Sequence, residues 1–298
     1  QMNGMYQEMT YFNQYPETVE DMLKHYDEWG SPSTYPHMSA GWAVALDAPF
    51  AWTKQVASDF GGTRNGMVIC WPDGIQAKGE IRSQFCHVID IAPTIYEIAN
   101  IPAPEMVNGI KQDPVEGTSL VYTFGDVAAK ERHTTQYFEM FVNRGIYHKG
   151  WTAVTKHSTP WPTPGGLNLP AYDNDKWELY APEDWTQARD LAQEMPEKLH
   201  HLQRLFLIEA AKYNVLPLDD RRPERFNAEL AGRPTLIRGK SQLLFSGMGR
   251  LGENVVLNTK NKSYAVTAEV VLPEGDVNGV IVAIGGGAGG WSLYARDG

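Results

Sequence analysis

The 298 residues carry 26 Lys and Arg against 36 Asp and Glu, a formal net charge of -10, with 42% hydrophobic and 21% charged residues. That balance describes a globular chain long enough for one large domain or two smaller ones, and it excludes the basic face that nucleic-acid binding requires. Two cysteines, Cys70 and Cys86, are too few for a disulfide framework and too far apart for a CxxC metal pair. No apolar run reaches the roughly 18 residues of a membrane-spanning helix.

Gln1-Met2-Asn3-Gly4 shows no basic segment followed by an apolar one, so no signal peptide is predicted there. From Glu17 to Trp29 the apolar residues Val19, Met22, Leu23 and Tyr26 follow helical spacing between Pro16 and Gly30, and predict an amphipathic helix. Residues Ser31 to Phe60 mix tryptophan, proline and lysine without a period and read as a long loop. Met67-Val68-Ile69-Cys70-Trp71, bounded by Gly66 and Pro72, suits a strand buried on both faces, as in a parallel sheet. Val88, Ile91, Ile95 and Ile98 then mark one face of a helix with Asp90 as its N-cap. A strand followed by a helix is the pattern of an α/β unit.

A second style begins near Thr134. Thr135 to Phe141, Arg144 to His148, Trp151 to Thr155 and Trp177 to Tyr180 read as short strands, with a surface loop over Ser158 to Asn174. Pro196 to Tyr213 is a helix with Leu199, Leu202, Leu205, Phe206 and Ala210 on its apolar side, which predicts a small antiparallel sheet with one packed helix. After the charged linker Asp219 to Arg225, alternation in Ser263 to Leu272, then Asn278 to Ile284 and Trp291 to Ala295, predicts a β-sandwich or jelly-roll module. Its Asp297-Gly298 ending reads as a hairpin turn whose return strand is missing, and alternation puts Tyr264, Trp291 and Tyr294 in its core. The expected division is an α/β domain over 1–130, a small α+β subdomain over 131–218 and a truncated β-sandwich-like module over 226–298.

Chemistry concentrates around Lys54. This lysine stands between a long loop and the turn Phe60-Gly61-Gly62-Thr63-Arg64, ahead of the expected strand, where its ammonium could meet an anion at a sheet edge; spacing alone favours a solvated lysine. Lys54, Gly61-Gly62-Thr63-Arg64 and the run ending Trp71-Pro72 resemble the sulfatase pattern of a lysine, a G-G-x-R turn and a strand ending in W-P. His87-Val88-Ile89-Asp90-Ile91-Ala92-Pro93-Thr94-Ile95 is similar to that family's V-D-I-x-P-T-I/L helix. Trp177-Glu178-Leu179-Tyr180 with Asp190-Leu191-Ala192 is similar to its E-L-Y-D and N-L-A segments. These motifs, in family order over roughly residues 1 to 215, resemble the large bacterial arylsulfatases of the alkaline-phosphatase-like superfamily.

The resemblance implies hydrolysis of a small-molecule sulfate ester by a formylglycine nucleophile with a Ca2+ ion, and implies that Lys54 contacts the sulfate. It also implies that the chain is the C-terminal part of a larger hydrolase, inactive alone, because the C/S-x-P-x-R nucleophile motif and the calcium ligands are absent. No metal ligand is assigned, since Asn3-Gly4 lacks the aspartate that would precede it in the family's Asp-Asn-Gly segment. Cys70-Trp71-Pro72-Asp73-Gly74 has Gly74 where the motif needs arginine, so Cys70 and Cys86 are read as buried structural thiols. Gly61, Gly62 and Arg64 are read as a structural turn, with Arg64 open to a substrate contact; His37 is read as bordering the pocket, a candidate substrate contact beside the favoured reading of a plain surface or half-packed histidine. His133, His200 and His201 show no partner carboxylate in sequence. Gly285 to Gly290 is a strand connection rather than a phosphate loop. A related phosphodiester or phosphonate hydrolase, and a carbohydrate- or partner-binding C-terminal module, are the alternatives. Location in a bacterial periplasm or cytoplasm and oligomeric state stay open.

Overall fold

The computed structural model describes residues 4–7, 17–159, 170–221, 223–226, 229–286 and 289–297. Most of the loop expected over Ser158 to Asn174 lies outside them. The described residues form a mixed α/β structure of small antiparallel sheets and few helices. Two compact units divide the chain, one of Gln1–Ala43 with Arg221–Gly298 and one of Val44–Asp220. No helix among the described residues is long and apolar enough to cross a membrane.

The Val44–Asp220 unit is built on a four-stranded antiparallel sheet of β3 (Thr135–Met140), β4 (Asn143–His148), β5 (Trp151–Thr155) and β6 (Glu178–Tyr180), paired in that order. The hairpins turn on residues with positive φ, Phe141 and Val142 in one and Lys149 and Gly150 in the other, and both tight turns match the strand twist. Register aligns Tyr137, Ile146, Ala153 and Leu179 in a row across the strands, and period two puts that row on one face. The helix Pro196–Lys212 covers it with Leu202, Phe206 and Ala210, each at most 1% exposed. Proline at its first turn and the apolar spacing explain why the strands and helix appear where the sequence puts them.

Two expected elements of this unit take another form. Met67 to Trp71 forms no strand and pairs with none among the described residues, and Val68 is 93% exposed. A strand exists only through its ladder, and an apolar run without one stays open to solvent. Cys70 and Cys86 are accordingly exposed, not buried. The helix Ile91–Ala99 forms, preceded by the 3-10 turn Val88–Asp90, yet its inner side is polar. Buried Thr94 donates to the Asp90 carbonyl (2.6 Å) and accepts from Leu120 N (2.9 Å), while Val88, Ile91 and Ile95 face outward. The Asp90 side chain turns back rather than capping this helix: it accepts from His87 N (2.8 Å), Thr118 N (2.7 Å) and His133 Nδ1 (2.9 Å). Burial opposes charge on both partners, but these bonds prevail, holding Asp90 below the usual carboxylate range and raising His133. His133 thus has a carboxylate partner 43 residues earlier.

The long loop expected over Ser31 to Phe60 contains the helix Ala40–Asp47, and a one-turn helix, Phe60–Thr63, ends it. A two-residue Asn108-Gly109 turn closes the short hairpin of β1 (Met106–Val107) and β2 (Ile110–Lys111).

In the other unit, the first helix is only Val19–Leu23, closed by a Thr18–Asp21 capping box, with Met22 buried and Val19, Leu23 and Tyr26 exposed. Ser263 to Leu272 forms no strand, and Tyr264 and Tyr294 are 50% and 57% exposed rather than core. The strands after residue 226, among the described residues, are β7 (Gly279–Gly286) and β8 (Gly289–Ala295), which pair with each other. The strand at Trp291 therefore has its partner before it in sequence.

Phe206→Ala should cost about 3–5 kcal/mol, the usual toll of emptying a fully buried aromatic site. Chemical denaturation of the two proteins measures this, and a loss below about 1 kcal/mol would mean that the helix is not packed on the sheet.

Candidate functional site

The face of the sheet opposite the helix receives the loop that carries Lys54. Gly145 and Val154 pair across β4 and β5 on that face, and a Cβ at Gly145 would lie 3.3 Å from the Ser58 carbonyl oxygen. Val56 is fully buried there, with Thr53, Ser58 and Asp59 buried beside it.

The glycine turn fixes the loop by backbone contact. Gly61 N donates to the Ala51 carbonyl (3.0 Å), and Val56 N to that of Thr53 (3.1 Å). A Cβ at Gly61 would stand 2.3 Å from the Trp52 oxygen, and one at Gly62 1.9 Å from the Val56 oxygen, so both positions require glycine. Arg64 donates from Nη1 to the Trp185 carbonyl (2.9 Å), and its guanidinium lies 5.1 Å from the Phe60 ring centroid and 5.5 Å from that of Phe50. Gln187 ties the turn to the sheet, accepting from Phe60 N (2.8 Å) and donating to Thr152 Oγ1 (3.1 Å).

Lys54 itself is exposed, at a turn, with no hydrogen bond or ion pair among the described residues. It lies between Trp52 at φ 66 and Gln55 at φ 75, two non-glycine residues in the left-handed region. Each such residue costs on the order of 1–3 kcal/mol and persists only where its surroundings over-determine it. A second cation is close by, Lys156, whose Nζ lies 4.5 Å from the Trp52 ring centroid. His37 belongs to the other compact unit, where its backbone pairs with Met5 and its Nδ1 lies 2.8 Å from the Met38 carbonyl oxygen. The structure thus joins Lys54, Gly61, Gly62 and Arg64 in one substructure.

Sequence reasoning missed the acid beneath this loop. Asp59 is 3% exposed, and burial pushes its carboxyl up to about 6, with the charge of Glu178 adding to the rise and a hydrogen bond from Ser58 (2.6 Å) opposing it. It also missed a buried ionic group at the sheet edge, where Asp175 accepts from Arg144 Nη1 (2.9 Å) and meets His157 Nδ1 (3.0 Å). Among the described residues, no three His, Cys, Asp or Glu side chains converge to hold a metal ion.

A distant relationship to sulfatases is supported by sequence comparison. Over 110 residues, 37% of this chain, it is 30% identical to an arylsulfatase of Klebsiella aerogenes, and it spans 24% of that protein's length. A solved sulfatase structure from the metabolism of multiple glycosaminoglycans by Bacteroides thetaiotaomicron is 18% identical, with a TM-score of 0.40 over 53% of this chain and 31% of its own. No family model matches the chain.

Gly62→Ala should destabilise the Val44–Asp220 unit by several kcal/mol, because a backbone oxygen at 1.9 Å must move; an unchanged thermal midpoint would refute the close packing. Asp59 predicts a pH slope. Between 3.8 and about 6 the folded chain holds a proton on this carboxyl that the unfolded chain releases, so stability falls as pH rises through that window and then levels. Denaturation midpoints on either side of the window should show Asp59→Asn losing this slope, and retention of it would assign the slope to other groups.

Proposed function

We propose that the chain is a C-terminal part of a sulfuric ester hydrolase of arylsulfatase type, in which Lys54 supplies positive charge to the sulfate group of an aryl sulfate. The observation that carries this reading is the 30% identity to an arylsulfatase over 110 residues. The order of the lysine, G-G-x-R, V-D-I-x-P-T and E-L-Y segments is the order that family uses. In this reading residues 1–130 correspond to the end of an alkaline-phosphatase-like α/β domain.

The loop geometry suits the role. Transfer of a sulfuryl group passes through a state with charge spread over the sulfate oxygens and growing on the departing aryl oxide. A cation whose backbone is already fixed meets that charge without reorganising, and this is the largest effect available to a site of this kind. Lys54 is exposed on a backbone held by glycine packing and by buried Val56, so its ammonium is available while its anchor is rigid. The formylglycine and Ca2+ of this reading need residues beyond those described, which form no ligand group for a metal. This chain's own contribution is charge and position.

Hydrolysis of a chromogenic aryl sulfate by the longer protein that contains this chain tests the reading. Lys54→Ala should lower kcat/KM by about 100-fold or more with an unchanged thermal midpoint. Wild-type turnover in that variant would remove Lys54 from the site. The 298-residue chain by itself should show no turnover, and measurable hydrolysis by it would contradict the assignment of the nucleophile to another part of the protein.

A further inference from the structure

A single buried amide connects the Lys54 loop to the sheet. Asn143 opens β4 directly after the tight turn at Phe141 and Val142, and it is 1% exposed. Its Nδ2 donates to the Gln55 carbonyl (3.1 Å), while its Oδ1 accepts from His157 N (2.8 Å) and Ser158 N (3.0 Å). Those partners decide the orientation of the amide, because two N–H donors can face only its oxygen and a carbonyl only its nitrogen. The first bond grips the residue after Lys54. The other two grip the residues after Lys156, the cation that sits over the Trp52 ring.

Gln55 holds a φ of 75, a conformation that a non-glycine residue leaves unless something retains it. Its carbonyl is retained by Asn143 on one side of the lysine, and the Ala51 carbonyl by Gly61 N on the other. Between these two ties stand the positive-φ pair Trp52 and Gln55, with Lys54 between them. Only a side chain that donates and accepts at once can bind both a carbonyl and a pair of amides from this one position. Aspartate has the size but not the donor, and serine has neither the reach nor the second group.

We propose that Asn143 is a positioning residue that acts through Lys54: its buried amide sets the strained backbone from which the ammonium meets an anionic substrate. The proposal rests on the reading of Lys54 as a sulfate contact. Asn143 touches no substrate; it fixes the segment that does.

Asn143→Asp isolates the claim, since it keeps the acceptor for His157 N and Ser158 N and sets an oxygen against the Gln55 carbonyl. In the 298-residue chain, amide hydrogen exchange at residues 53–57 should accelerate about tenfold or more while the β3 to β5 ladder keeps its protection. Unchanged exchange at 53–57 with the ladder still protected would overturn the proposal. Should the buried carboxylate unfold the sheet, Asn143→Ser, which brings in no charge though it gives up the ties to His157 N and Ser158 N as well, carries the test: unchanged exchange at 53–57 in that variant overturns the proposal. In the longer protein, Asn143→Asp should lower kcat/KM for a chromogenic aryl sulfate by about tenfold when Lys54 is present and by less than about twofold in the Lys54→Ala background. Equal losses in both backgrounds would show a merely structural role. A protein whose turnover ignores Lys54→Ala would instead overturn the sulfate-contact reading itself.

Discussion

A Cβ at position 62 would lie 1.9 Å from the Val56 carbonyl oxygen, and one at position 61 would lie 2.3 Å from that of Trp52. Backbone packed on backbone at this range leaves the Lys54 loop almost no freedom, and the loop pays in turn with positive φ at Trp52 and Gln55. The loop's position is set by glycine, not by the lysine it displays. Val56 is fully buried between Gln55, whose carbonyl is tied to Asn143 of β4, and Ser58, whose carbonyl lies close to Gly145.

The sheet serves two masters because side chains alternate across it. The row through Tyr137, Ile146, Ala153 and Leu179 builds the hydrophobic core with the helix Pro196–Lys212, and the opposite face, with Gly145, Val154 and Thr152, carries the loop and its glycine turn. Stability and site are therefore coupled through one layer of four strands. Polar groups buried around it are used as ties: Asp90 collects His87, Thr118 and His133, Asp175 collects Arg144 and His157, and Asn143 joins two segments that each carry a lysine. Each tie costs desolvation, and each is satisfied by several hydrogen bonds, the condition under which buried polar groups persist.

What was legible in the sequence divides along the range of the interactions. The strands from Thr135 to Tyr180 and the helix from Pro196 are written locally, in period-two and helical apolar spacing with two-residue turns, and the structure matches them nearly residue for residue. Met67 to Trp71 and Ser263 to Leu272 have the same apolar content, but a strand needs a neighbour, and composition does not name one. The Ile91–Ala99 helix shows the converse: its period is readable, yet Thr94, donating to the Asp90 carbonyl and accepting from Leu120 N, and Asp90, accepting from Thr118 N, turn the polar side inward and Ile91 and Ile95 out. The Gly61-Gly62 turn was visible as a motif, and Lys54 with it. Asp59, Asn143 and the His133 partnership were not, since the burial and the Glu178 charge that act on the acid, and the partners of the amide and the imidazole, come from residues tens of positions away.

A structure of the longer protein proposed to contain this chain, with inorganic sulfate or an aryl sulfate analogue bound, would test the central claim most directly, by the distance from the anion to Lys54 Nζ. The account predicts a sulfate oxygen within charge-assisted hydrogen-bond range of that nitrogen, about 2.7–3.2 Å, with the 51–62 backbone unmoved. An anion bound in the catalytic pocket with Lys54 turned to solvent would contradict it.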